Sequence, residues 1–322
     1  MTIENINKDL RRTFSKNGWI LLVYYLIMNV CVSIAIVFDA IILWFQYLYD
    51  QTVLTEDFGT LLIERSTENG IGYLLACLIG AGILLFWKNP NYCFREIWHS
   101  EKRMTAKAFI VLLCAFLSGQ AVQILLTPVL ELLLNIIGLS AMSSLETAVA
   151  GSTTLSMFLY VSVFAPVFEE MLFRGLILRN LLPYGRKMAI LGSAFLFGVF
   201  HGNLVQTPFA FLVGLVLGYT AVKYGLVWSV ILHAINNFVL GDLFSRLTQW
   251  IPAMYVDLLL YVILFGVAIL TLVLAAVNSR KITDYFSTRK IHPLCLRCFF
   301  LSPGVMVFSG IMIINMILLL LT

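Results

Sequence analysis

Charge is what this sequence has least of. Only 12% of its 322 residues are Asp, Glu, Lys or Arg, against 61% that are hydrophobic. A soluble domain carries about twice that charged fraction, roughly 25%, so an ordinary soluble surface is excluded. Disorder is excluded too, because a disordered chain is poor in apolar residues. The net charge is only +4, and no basic stripe is set aside for a phosphate backbone. No nucleic-acid partner is expected.

Other absences narrow the chemistry. The six cysteines, Cys31, Cys77, Cys93, Cys114, Cys295 and Cys298, form no disulfide framework. Those inside apolar runs read as small buried hydrophobes. Cys295 and Cys298 form a single CxxC near His292, which offers too few ligands for a closed zinc site. The sequence holds no GxxxxGK[ST] phosphate loop, no GxSxG elbow and no HExxH. No internal repeat is evident. The polar start, MTIENINKDLRRTFSKNG, precedes an apolar run longer than a signal-peptide core. That run is expected to remain as a membrane helix, with no prenylation signal at the other end.

What the chain has in abundance is long apolar segments. They cover about residues 19–43, 71–87, 108–130, 155 onward, 188–204, 209–222, 226–240, 255–277 and 305–321. The middle ones are short and broken by glycine, while a full span needs about 20 residues. The expected fold class is therefore all-α, a polytopic transmembrane helical bundle with about eight or nine spans. Basic residues recur in every second connection. Lys8, Arg11, Arg12 and Lys16 precede the first span, and Lys88, Arg95, Lys102, Arg103 and Lys107 follow the second. Arg179, Arg186 and Lys187 follow the fourth, Lys223 the sixth, and Arg280, Lys281, Arg289, Lys290 and Arg297 the eighth. The alternate connections are poor in basic residues or acidic. By the positive-inside rule the N-terminus is cytoplasmic. Three parts are expected: residues 1–154 with three spans, 155–240 as a core, and 241–322 with two spans around a basic segment. That basic segment, 280–300, reads as a loop or as a stretch lying on the inner leaflet.

Polar residues at membrane depth then stand out, because they are costly there and need a partner or a task. FEEMLFRG places Glu169 and Glu170 side by side, with Arg174 four residues after Glu170. On a helix Glu170 and Arg174 share a face and can pair, while Glu169 points elsewhere. One glutamate can be held by the arginine while the other faces a cavity; the plainer reading makes both part of a structural ion pair. His201 ends FLFGVFH, and His233 in WSVILHAINN is followed by Asn237 on the same face. Counted along their helices, Glu169, His201 and His233 lie about 21, 20 and 14 Å from the helix starts, at about 1.5 Å per residue. All three can meet between the midplane and the inner leaflet of a core about 30 Å thick. A polar cavity open towards the cytosolic side is expected.

Such a cluster can hydrolyse a peptide bond. A carboxylate deprotonates water, and histidine and amide donors support the oxyanion. Glu169 is the candidate base, positioned with His201. His233 and Asn237 face the scissile carbonyl, and Glu170 and Arg174 orient the site. Two histidines and a glutamate also make a catalytic zinc set. No cofactor is required, and zinc is left open. Other polar groups have plainer readings. Gln120 and Gln123 read as interhelical hydrogen-bond donors, Gly214 and Gly218 as a tight crossing, Glu131 as an interface residue, and Asp39 and Asp257 as reaching water.

EEMLFR fits EExxxR, FGVFH fits FxxxH, and HAINN fits HxxxN. In order and spacing the three motifs resemble the CPBP family, intramembrane glutamic endopeptidases that include type II CAAX-processing enzymes and bacteriocin-processing or immunity proteins. The resemblance covers about residues 155–240. It implies catalytic roles for Glu169, Glu170, Arg174, His201, His233 and Asn237, with Glu169 activating water and no metal. It implies a membrane-associated peptide or protein as substrate. The short basic tail and the lack of organelle signals point to the bacterial cytoplasmic membrane. Non-proteolytic scaffold or immunity proteins of the same fold, and a proton-coupled carrier, are the alternative classes.

Overall fold

The protein is described by a computed structural model covering residues 3–49, 57–141, 152–288 and 290–321. It is 87% helical, with no strand among the described residues. The helices are α1 (Ile3–Tyr49), α2 (Phe58–Glu68), α3 (Ile71–Lys88), α4 (Pro90–Phe94) and α5 (Ala106–Ile136). They continue with α6 (Leu155–Tyr184), α7 (Arg186–Phe200), α8 (Gln206–Tyr224), α9 (Leu226–Thr248) and α10 (Ala253–Val277). The chain closes with α11 (Ser279–Ser287), α12 (Pro293–Phe300) and α13 (Pro303–Leu320).

Eight of these, α1, α3, α5, α6, α8, α9, α10 and α13, are long and apolar enough to cross a membrane. α7 accounts for the ambiguity between eight and nine. Its 15 residues rise only about 22 Å, and it is lined by buried Gly192, Ser193, Ala194 and Phe197. α7 pairs with α8, α6 packs on α9, and α1 runs beside α3, α12 and α13. α5 bridges α8 and α10. The outer faces are apolar and exposed, as at Val262, Ile269 and Leu272 of α10. A lipid-facing surface has this character.

Local signals set the helix ends. Thr105 and Thr154 accept hydrogen bonds from the backbone of Ala108 and Met157 at the starts of α5 and α6, as N-caps do. Glu131 accepts from Ser140 and from the Ala141 backbone, so it fastens the turn after α5. Three expectations need correction or refinement. Asp39 does not reach water; it is buried, accepts a hydrogen bond from Asn69 at 2.7 Å and lies 3.6 Å from Arg65. The segment 280–300 is not a plain loop: it holds α11, whose described residues are exposed, and α12, where Cys298 and Phe299 bury their side chains against α1. Cys93, in a basic connection, is buried in α4. The described cysteines are free thiols.

The helices approach closely where glycine allows it. A Cβ on Gly18 of α1 would lie 2.1 Å from the backbone carbon of Gly304, and one on Gly304 would lie 2.0 Å from the Ser15 carbonyl oxygen. Gly304 also donates its N–H to the Ser15 hydroxyl at 2.7 Å. The α1–α13 crossing therefore rests on backbone contact. Gly304→Val is expected to destabilise the detergent-solubilised protein by at least about 1–3 kcal/mol, the usual cost of overpacking. A thermal unfolding series checks this against Gly310→Ala, where an added Cβ meets nothing within 4 Å. Equal midpoints for the two variants would refute the crossing.

Candidate active site

The site starts from a proline. α6 does not keep a uniform winding; it is π-helical over Tyr160–Phe164 and again over Met171–Ile177, with Glu169 and Glu170 on the α-turn between. Ala165 donates its N–H to the Tyr160 carbonyl, five residues back. The next bond of that ladder would need an N–H at residue 166, which is proline. Proline has none, so the Val161 carbonyl is left without its helical donor. The Asn237 side chain of α9 donates to it at 3.0 Å. α9 is π-helical at that level too, over Ile235–Leu243. Wide helical turns of this kind recur at functional sites.

The two glutamates have separate fates. Glu170 points into the bundle with no exposed surface. Its Oε1 accepts from Arg174 at 2.7 Å and lies 3.0 Å from His233 Nδ1, while its Oε2 accepts from Ser229 at 2.5 Å. Arg174, 1% exposed, donates also to the Gly214 carbonyl at 3.3 Å and lies 4.2 Å from the Phe197 ring centre. Taking two charges out of water costs several kcal/mol each unless their remaining hydrogen-bonding capacity is met. Three helices meet most of it here, and Arg174 Nε is left without a hydrogen-bond partner. Gly214 eases the arrangement, since a Cβ there would stand 3.2 Å from Ala194 of α7 and 3.3 Å from the guanidinium, closer than side chains ordinarily pack.

Glu169 instead lines a cavity. Its carboxylate lies 3.9 Å from His233 Nε2, too long for a direct hydrogen bond and suited to a bridging water. Because Glu170 as a carboxylate can only accept, the network assigns a proton to His233 Nδ1 and turns Nε2 towards Glu169. His201 caps α7. Its Nδ1 donates to the Phe197 carbonyl at 2.8 Å, which likewise turns Nε2 outward. The Phe197 ring packs against both imidazoles, with centres 4.9 Å from His201 and 5.7 Å from His233. Thus Glu169, Glu170, Arg174 and His233 form one connected group. His201 and Asn237 line the same cavity but are held by backbone carbonyls.

The cavity encloses about 520 Å³ between α5, α6, α7, α8, α9 and α10. Polar rungs climb one wall. Gln120 donates to Asn236 at 2.6 Å, Asn236 to Asn237 at 3.0 Å, and Asp242 accepts from the hydroxyls of Ser152 and Ser162 and from the Ser152 backbone. The cavity extends from Glu169 to Ser152 and Asp242, the end of the bundle opposite the basic connections. It does not run towards the basic end, as an opening on the cytosolic side requires if that end is cytosolic. A separate apolar groove of about 300 Å³ between α1, α3 and α6, lined by Trp19, Trp87 and Phe168, stands apart from this chemistry. Among the described residues no three His, Cys, Asp or Glu side chains are grouped to hold a metal ion.

Sequence reasoning passed over Ser229, Asn236 and Asp242. Ser229 had a signal, since it lies four residues before His233 on one helical face. Asp242 is buried by the fold, whereas Asp257 is exposed.

Arg174→Met would strand Glu170 as an uncompensated buried charge, a loss of about 3–5 kcal/mol. The variant is expected to unfold in detergent well below the parent, and Glu170→Gln added to it to restore part of the loss. Parent-like stability of Arg174→Met in calorimetry would refute the pairing.

No curated protein and no solved structure matches the chain. A family model does, and it covers the segment that carries all three motifs. Residues 151–239 match the model of the type II CAAX prenyl endopeptidase Rce1-like family, which bears out the CPBP resemblance of the motifs.

Proposed function

We propose that this protein is an intramembrane endopeptidase that hydrolyses a peptide bond of a membrane-associated protein or peptide. One observation carries the reading. Of two adjacent glutamates, Glu170 is fully partnered, whereas Glu169 faces His233 Nε2 across 3.9 Å inside a polar-walled cavity. A structural ion pair needs only the first. The second borders the cavity, and that position supports reading it as a base.

In this mechanism a water sits between Glu169 and His233. Glu169 takes its proton as the oxygen attacks the scissile carbonyl. The oxyanion that forms lies beside His233 and accepts a hydrogen bond from the second N–H of the Asn237 amide. Glu169 then passes its proton to the leaving amine as the C–N bond breaks. Glu170, Arg174 and Ser229 keep the His233 ring in place, and His201 closes the far wall. No step uses a metal. The family name specifies a CAAX prenyl substrate; here the class is kept to membrane-associated peptides, since the cluster reads a peptide bond and not a lipid. The membrane is taken to be a bacterial cytoplasmic membrane.

Glu169→Gln, at matched protein level, is expected to lower processing by at least about 10²-fold, the low end of general-base contributions. Comparative peptidomics and membrane proteomics of cells with the parent or the variant read this as a precursor that accumulates only with the variant. Identical profiles, with any phenotype intact in both, would sink the mechanism and favour a non-proteolytic scaffold or immunity role.

A further inference from the structure

The direction of the cavity carries a consequence for the substrate. Basic side chains collect at one end of the bundle. There Arg186 pairs with Glu101 at 2.7 Å, Lys187 donates to the Thr288 carbonyl, and the Lys102 backbone bonds to Lys223. Among the described residues, only Arg65 and Arg246 lie at the opposite end, and Arg174 lies within. Basic connections stay in the cytosol. The catalytic cavity leads the other way, past Asn237 and Leu240 to Gly241, Asp242 and Ser152. On the basic side it is stopped by Glu170, Arg174, Leu217 and Ser229, each at most 1% exposed. Beyond that plug lies a separate cavity of about 160 Å³, lined by His99, Glu101 and Arg179.

The wall of the larger cavity is also poorly suited to lipid. Ile235–Leu243 is π-helical and presents Asn236, Asn237 and Asp242. Irregular backbone and polar side chains at membrane depth persist where they line a water-filled space or a pathway. From the charge asymmetry and this wall together we infer that the substrate reaches Glu169 from the extracytosolic side. Its class is then a membrane-anchored peptide whose scissile bond lies in the outer half of the bilayer, not a lipid-modified C-terminus offered from the cytosol. The inference rests on the proteolytic reading for the bond that is cut, but not for the direction of access.

The direction is tested with the full chain in native membranes. Among the described cysteines only Cys295 is not buried, so Cys295→Ser serves as the background. Gly241→Cys places a thiol at the cavity wall where an added Cβ meets nothing within 4 Å, and Arg103→Cys places one at the exposed basic end. With a membrane-impermeant maleimide, Gly241→Cys is expected to label in intact cells and Arg103→Cys only in inverted vesicles. Labelling of Gly241→Cys only in inverted vesicles overturns the inference. So does a failure to label it from either side while Arg103→Cys reports normally. A substrate found through Glu169→Gln separates the two readings: a new terminus on the cytosolic side defeats the access route and leaves proteolysis standing. Absence of any fragment defeats proteolysis and leaves the labelling result to decide the route.

Discussion

The buried pair of Glu170 and Arg174 is the constraint around which the bundle is arranged. Neither charge reaches solvent, so every lone pair and most of the N–H groups must be met by protein. The donors and acceptors come from three other elements: Ser229 and His233 on α9, the Gly214 carbonyl on α8, and the face of Phe197 on α7. Those requirements fix the rotation of each helix about its own axis. Gly198, Gly214 and Gly218 line the contact between α7 and α8, and of these Gly214 brings its carbonyl to the guanidinium.

Once Glu170 is fixed, its neighbour has little choice. Glu169 is turned by about 100° on the helix and faces the space between α6 and α9. His233 spans the two environments, with one ring nitrogen on the structural carboxylate and the other facing Glu169. The same imidazole thus belongs to the frame and to the cavity. Pro166 contributes in a less direct way. By withholding an N–H it leaves a carbonyl that draws Asn237 to α6, and this ties the cavity wall to the helix that bears the glutamates.

Much of this was legible in the sequence. Low charge and long apolar runs fixed a helical membrane bundle, because the cost of burying a backbone without hydrogen bonds leaves few other solutions. Three motifs in three spans located the six polar residues that line or support the cavity. Gln120 read as an interhelical donor, and it bonds Asn236 of α9. Other residues resisted. Asp39 stands near the end of a span and read as solvated, yet Asn69 and Arg65 cover it. Residues 280–300 read as a basic loop or as a stretch lying on the inner leaflet; they form two short helices, of which α12 packs against α1.

The sequence by itself determined which side chains are too polar for lipid, in what order they come, and which end of the bundle holds the basic residues. Those properties are local: they follow from transfer free energies and from spacing along one helix. Only the tertiary structure decided which of two adjacent glutamates takes the arginine, that α7 stops short at His201, and that the cavity leads towards Asp242. Those outcomes depend on groups supplied by other helices, Gly214, Ser229 and Phe197 among them. Their distance from Glu170 along the chain says nothing about their distance in space.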